Sequence, residues 1–356
     1  PNPFSLTPDS PEPLDPALLT TAKTLPKVVL HDHLDGSLRE STLLELLAER
    51  GLAAPAADVL GLGRWLDERA QAGSLVEYLK GFALTVAAMA TPQALARVAF
   101  EAAEDARADG CVLAEFRIAP LLFEPHGVSG DDAVAALLAR LSRSALPTGL
   151  IVCAMRQESD AQIERAAELA LRWRGRGVVA FDLAGPEAGF PATRHAALLQ
   201  RLREAGLPFT LHAGEADGAE RVLEAAALGA QRVGHGVRLA DKLHSPQADA
   251  ALAAVRQAHL HLEVCPTSNV HTGAAASLAD HPITALWRAG VSLSFHTDNR
   301  LIPRTSASRE AALLVQHTPL TWADLQAMGV QAARASFLGA GAYRRAIPTV
   351  VTYLIS

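Results

Sequence analysis

Eight short apolar, β-branched-rich runs recur along the chain, and their alternation with helical stretches limits the architecture more than any other feature. The runs are KVVLHDH (27–33), CVLAEFRI (111–118), GLIVCAMR (149–156), GVVAFDLAG (177–185), FTLHAG (209–214), RVGHGV (232–237), LHLEVC (260–265) and VSLSFHTD (291–298). Most gaps hold Ala-, Leu-, Arg- and Glu-rich segments with helical spacing, of which AQIERAAELALRWR (161–174) and AERVLEAAALGA (219–230) are the clearest. Strand then helix, eight times over, predicts an α/β protein built as a (β/α)8 TIM barrel. The stretch 39–110 is too long for a single helix. Within it Leu75, Tyr78, Leu79 and Phe82 fall at i, i+3, i+4 and i+7, one helical stripe. Residues 40–108 are therefore expected to form several helices inserted after strand 1, across the barrel mouth.

The 356 residues, 49% hydrophobic and 20% charged, can bury a large core. No linker or low-complexity repeat divides them. Residues 21–356 are expected as one barrel domain behind a loose, polar, Pro-rich tail at 1–20. That tail lacks the basic-then-apolar order of a secretion signal. A formal net charge of −6, with no local Lys/Arg block, argues against nucleic acid as a partner. No uncharged apolar run of ~18 residues appears, so no membrane span is expected. Cys111, Cys153 and Cys265 lie far apart in apolar runs and read as buried free thiols of a reducing compartment. A cytoplasmic protein with no obligate protein partner is the corresponding expectation.

The polar residues inside the strand runs carry the chemistry. Polar side chains aimed at a core cost free energy unless something there pairs with them. His31 and His33 are two apart and point to one side of strand 1. His212 is expected to end strand 5, His235 strand 6 and Asp298 strand 8, at the tips where barrels build their sites. Three imidazoles and a carboxylate are ligands that zinc accepts, though cobalt or iron would also fit. A catalytic metal lowers the pKa of bound water towards ~7. Glu215 follows His212 by three residues, and Gly214 allows a tight turn that swings its carboxylate over the metal. A glutamate there can shuttle protons. His235, between two glycines, can orient the attacking group. Taken singly, each residue has an ordinary reading: an interior histidine, or an aspartate capping a helix. Their joint arrival at strand tips favours a metal site.

At these residues the chain resembles the adenosine deaminase family, within the larger amidohydrolase group. The matching stretches are LPKVVLHDHLDGSLR (25–39), FDLAG (181–185), LHAGE (211–215), RVGHGVR (232–238), LEVCPTSN (262–269), HPI (281–283) and HTDN (296–299), in family order over nearly the whole barrel. The Asp298–Asn299 pair and NRLIPRTSASRE (299–310) resemble a bacterial branch. The resemblance implies zinc-dependent hydrolysis of adenosine or deoxyadenosine to inosine or deoxyinosine plus ammonia. One Zn2+ per chain would be held by His31, His33, His212 and Asp298. Glu215 would protonate ring N1, His235 would orient the hydroxide, and Asp298 would also take a proton from the water. Asp35 would bind the ribose hydroxyl, and the Gly185 N–H would meet ring N3. Asn299 stands where the family usually has a second aspartate facing N7; an amide is always a donor there. Leu75, Tyr78, Leu79 and Phe82 would line an apolar lid, with plain helix packing as their other reading.

Asp35 favours a nucleoside, since relatives acting on free adenine tend to carry Glu in its place. No basic cluster near the motifs would hold a 5′-phosphate. His296, where Asn or Ser is more familiar, is expected to point inward beside Asp298, as a partner that orients a ligand, as core, or as a spare ligand. The alternatives are a deaminase of another amino-purine or of an aminofutalosine-type nucleoside, and a barrel that binds a purine nucleoside without turning it over. Glu215 argues against a mere binder. The Cys-ligated base deaminases require H-x-E with P-C-x-x-C, and Cys265–Pro266 is not followed by a second cysteine. No G-x-S-x-G supports a serine hydrolase.

Overall fold

The computed structural model describes residues 13–70 and 75–352, without the side chains of 75–80 and of several positions from 340 on. Eight parallel strands follow one another in chain order: β1 (Lys27–Val29), β2 (Cys111–Ile118), β3 (Thr148–Met155), β4 (Val178–Ala184), β5 (Phe209–Ala213), β6 (Arg232–His235), β7 (His261–Val264) and β8 (Leu293–Phe295). Each is buried along most of its length, as parallel strands covered by helices must be. This is the expected (β/α)8 barrel.

The seam between first and last strand is closed beyond their ends. Asp32 bridges Asp298 in parallel, the His33 N–H donates to the Asp298 carbonyl at 2.7 Å, and the Asp298 N–H donates to the His31 carbonyl at 3.1 Å. Here the runs 27–33 and 291–298 were expected to be strand throughout, and the regular ladders are shorter. His31, His33 and Asp298 lie past the ladders, and residues 34–36 turn at once into a 3-10 helix. Polar demand explains the difference: these residues turn their side chains to one another rather than continuing a strand.

Between β1 and β2 run four helices: α2 (Glu40–Glu49), α3 (Val59–Ala70), α4 (Leu75–Met89) and α5 (Pro92–Ala108). Thr91 caps α5, and its buried stripe (Leu95, Val98, Ala102, Ala106) packs towards β2 and helix α6 (Gly130–Leu141). So α5 belongs to the barrel wall. Helix α4 reaches the 3-10 turn Leu34–Gly36, where a Cβ on Gly36 would lie 2.9 Å from the Phe82 ring. A further helix, α1 (Pro16–Thr24), begins inside the stretch expected as a tail. The Asp15 carboxylate accepts the Ala17 N–H and Pro16 opens the helix, a strong local start signal that corrects the tail boundary. Among the described residues, no single helix is long and apolar enough to cross a membrane.

Candidate active site

The three histidines and the aspartate singled out for a metal converge. His33 Nε2 lies 3.2 Å from His212 Nε2 and 3.6 Å from Asp298 Oδ1, and His31 Nε2 lies 3.2 Å from the same oxygen. Ligands at ~2.0–2.2 Å from a tetrahedral ion are spaced about 3.3–3.6 Å apart, so these distances match the edges of such a site. Hydrogen-bond logic points the same way. His31 Nδ1 donates to Glu263 Oε2 at 2.8 Å, and His212 Nδ1 donates to Asp182, whose oxygens lie 3.0 and 3.1 Å away. A neutral imidazole has one donor and one acceptor nitrogen, so both Nε2 atoms present lone pairs. Lone pairs and a carboxylate oxygen packed this closely repel one another unless a cation joins them. The residues present therefore fit a metal ion.

Burial drives His212 down to about 4 and His33 well below the ordinary imidazole range, which favours the neutral rings, each with one bare nitrogen. Burial also presses His31 downward, but the Asp298 and Glu263 carboxylates it faces outweigh that and leave it raised, so without a cation Nε2 takes up a proton more readily, one that a bound metal would displace. Burial works to raise Asp298, yet the hydrogen bond with His31 and the surrounding imidazoles hold it well below the carboxylate range. The Asp298 backbone is left-handed (φ 62°), as is that of His235 (φ 64°). Non-glycine residues in this region carry strain of roughly 1–3 kcal/mol and cluster at functional sites.

Beneath the ligands lies a buried ionic network that sequence reasoning missed. Arg117 donates through Nη1 to Asp182 Oδ2 (2.9 Å) and through Nη2 to Glu263 Oε2 (2.6 Å) and the Leu30 carbonyl (2.6 Å). Arg232 pairs Nε with Glu263 Oε1 and Nη1 with Glu115 Oε2, both at 2.6 Å. All five side chains are fully buried. Asp182 and Glu263 thus each orient one imidazole and are themselves held by arginine. FDLAG and LEVC were legible as strands; the signal overlooked was a charge at inward positions of strands otherwise apolar.

Glu215 turns towards His235. Gly214 is left-handed (φ 69°), and a Cβ there would come within 2.4 Å of Val222 Cγ2, so the turn requires glycine. The buried Glu187 carboxylate accepts the N–H groups of Gly214, Glu215 and Ala216 at 2.7, 2.8 and 3.0 Å and clamps the loop. Glu215 Oε1 accepts from Asn269 Nδ2 (2.9 Å) and Thr272 Oγ1 (2.8 Å), and Oε2 faces His235 Nε2 at 3.5 Å. Burial raises its pKa. His235 ends β6, with ring atoms close enough to His31, His212 and Asp298 to join the same cluster, all within 4.8 Å. Asp298 Oδ2 accepts from Ser268 Oγ at 2.6 Å.

These groups open into a cavity of about 320 Å3 lined by His33, Asp35, Phe82, Gly185, Glu215 and Asp298, among others. Asp35 Oδ1 is buried there without a hydrogen-bond partner, and burial lifts its pKa to about 7. Gly185 is left-handed (φ 91°), bringing bare backbone to the wall. Phe82 of the expected lid lines the cavity; the side chains of Leu75, Tyr78 and Leu79 lie outside the described residues. Asn299 is fully buried and is not among the lining residues. It packs beneath Gly36, where an added Cβ would approach Asn299 Cβ to 2.5 Å. His296 is buried, accepts the Leu30 N–H on Nδ1 at 3.1 Å and bonds Ser294 Oγ at 2.7 Å, so it ties β8 to the end of β1 instead of joining the ligands. A wider cleft of about 920 Å3, lined by Lys23, Arg39, Asp105 and Arg304, opens elsewhere, and none of the candidate residues lines it.

Known proteins resemble the chain over nearly its whole length. The family described as "Adenosine deaminase" matches residues 26–353. The adenosine deaminase of Mycobacterium marinum is 42% identical over 340 residues, covering 91% of this chain and 93% of the relative. The N6-methyl-AMP deaminase of Arabidopsis thaliana superimposes with a TM-score of 0.79 at 26% identity, covering 94% of this chain and 98% of that one. A zinc-bound amidohydrolase from Burkholderia ambifaria shares the fold, with a TM-score of 0.83 at 21% identity over 97% of this chain and 94% of its own.

Proposed function

The chain belongs to the adenosine deaminase family, and from that premise we propose that this site hydrolyses adenosine and deoxyadenosine to inosine and deoxyinosine, releasing ammonia. The observation that carries the reading is the convergence of His31, His33, His212 and Asp298 with Glu215 and His235 at one cavity. The chain is a metal-dependent aminohydrolase. One Zn2+, held by His31, His33, His212 and Asp298, is part of the proposal; when bound it supplies the positive charge that activates water near neutral pH.

The side chains then divide the proton work. Glu215, its carboxyl kept protonated more readily by burial, donates to ring N1 and makes C6 electrophilic. Asp298 takes a proton from the attacking water, and His235 orients that water towards C6. The oxygen adds to C6, the proton taken from water passes from Asp298 to the amino group, the C6–N bond breaks to release ammonia, and the proton of the new C6 hydroxyl returns to Glu215, leaving the C6 carbonyl of inosine. Glu187 keeps Glu215 aimed through three backbone bonds. Asp182 and Glu263 fix the rings of His212 and His31.

Several features support a nucleoside as substrate. The cavity volume is at the small end of ligand pockets. Its described lining contains Asp35, Glu187, Glu215 and Asp298 but no Lys or Arg, so a 5′-phosphate would meet carboxylates and no cation. The partnerless Asp35 oxygen suits a ribose hydroxyl, and the Gly185 backbone suits ring N3. Phe82 would cover the base. Cytoplasmic residence belongs to the same reading, supported by three buried free thiols.

Metal analysis of the purified protein, alongside ammonia release from adenine, adenosine, deoxyadenosine, AMP and aminofutalosine-type nucleosides, tests the proposal. One zinc per chain and fastest release from the two nucleosides are expected; faster release from AMP or adenine overturns the substrate. Glu215→Gln is expected to keep the metal and lose turnover by about 10²–10⁴-fold. Substantial activity in that variant removes Glu215 from its role.

A further inference from the structure

We infer that Asn269, held in one orientation by His281, fixes where the protons of His235 and Glu215 reside, making both positioning residues for the deamination. The inference rests on the roles of Glu215 and His235 given above. Its starting point is a backbone N–H, which can only donate. The Ile283 N–H reaches His281 Nδ1 at 3.1 Å, so that nitrogen is an acceptor. His281 is buried, which lowers its pKa to about 4 and leaves the ring neutral. Its proton is therefore on Nε2, which donates to Asn269 Oδ1 at 3.3 Å.

That bond settles which end of the Asn269 amide is oxygen, an assignment heavy-atom positions alone leave open. The NH2 group then has two hydrogens and two acceptors: Glu215 Oε1 at 2.9 Å and His235 Nδ1 at 3.1 Å. Because His235 Nδ1 accepts, the ring proton of His235 is on Nε2, the nitrogen 3.5 Å from Glu215 Oε2. Two consequences follow. A protonated Nε2 cannot bind a metal, so His235 is a donor within the cluster, in keeping with the proposed ligand set of His31, His33, His212 and Asp298. And Glu215 Oε1 already receives a hydrogen from Asn269 and lies 2.8 Å from the Thr272 hydroxyl, which favours Oε2 as the carrier of the acid proton.

The direct test is a long-range 1H–15N correlation spectrum of zinc-loaded, 15N-histidine-labelled enzyme, with the His235 signals assigned by their loss in His235→Gln. A bare Nδ1 and a protonated Nε2 are expected; a protonated Nδ1 overturns the inference. Kinetics give a second readout. His281→Leu removes the donor that orients Asn269 and is expected to lower kcat about 10–100-fold with KM and zinc content unchanged. His281→Gln keeps an N–H donor and is expected to recover most of that loss. Equal kcat in the two variants overturns the relay, and if neither folds, the wild-type spectrum still decides. Activity surviving in Glu215→Gln would instead sink the catalytic reading, whatever tautomer His235 shows.

Discussion

Replacing Arg117 with Met tests whether the metal site is held from below. The guanidinium makes three hydrogen bonds, one to Asp182, one to Glu263 and one to the Leu30 carbonyl. The two carboxylates are not equally exposed to its loss. Glu263 would keep Arg232 Nε at 2.6 Å and His31 Nδ1 at 2.8 Å. Asp182 would keep only His212 and the weak Cys153 thiol at 3.6 Å, so it becomes a buried carboxylate without a full cation. Removing one partner of a buried pair costs about 3–5 kcal/mol. An unfolding entropy of ~2.1 cal/mol/K per residue over 356 residues gives about 750 cal/mol/K. The expected drop in Tm of the metal-free protein is therefore roughly 4–7 °C. Asp182 also orients His212, so zinc affinity, measured by competition with a chelator, is expected to weaken about 10–100-fold. Arg117→Lys keeps the charge but loses the fork and should fall between the two. An unchanged metal-free Tm would refute the energetic argument. A lower Tm with unchanged zinc affinity would show that the network braces the barrel without aiming the ligand.

Asp35→Ala is expected to raise KM for adenosine by about 10–100-fold, the worth of a hydrogen bond to a charged group, while leaving turnover of free adenine at its basal level; steady-state kinetics on both substrates check it. Asn299→Asp is expected to cost about 1–3 kcal/mol of stability, because it places a carboxyl in a fully buried position, and to leave the ratio of adenosine to 7-deazaadenosine kcat/KM unchanged. A changed ratio would mean this position does read ring N7. Asp324 closes a capping box with Thr321 and accepts from Trp287 and Arg288, so Asp324→Ala is expected to lower stability by about 1–2 kcal/mol in denaturant unfolding. Burial alone would raise the Asp324 pKa, but its hydrogen bonds, led by Thr321, hold it at about 2 against 3.8. Its contribution is thus present above pH 3.8 and fades as pH falls through about 2, and the wild-type advantage over the variant should vanish there.

What the chain reveals before folding divides by the kind of interaction involved. Strand runs were legible because burial on both faces demands continuous apolar residues, and the clustered histidines were legible because they interrupt those runs. The register of the ends was not: His31, His33 and Asp298 extend strand-like patterns, yet only the bridge between Asp32 and Asp298 shows that the chain leaves the ladder there. Nor was the burial of Asn299 legible: its neighbour Asp298 faces the imidazoles while Asn299 packs beneath Gly36. The supporting residues were hidden for a different reason. Arg117, Asp182 and Glu263 derive meaning only from one another, across sequence gaps of 65 and 146 residues. Periodicity reports one strand at a time and carries no information on such pairings. A usable rule nonetheless remains. Glu115 and Arg117 are two apart on β2, so they share a face, and a charge at such spacing inside an apolar parallel strand cannot be solvated. Such a charge must therefore have a partner of opposite sign on another strand. For Glu115 that partner is Arg232; for Arg117 the partners are Asp182 and Glu263, the side chains that hold the rings of His212 and His31.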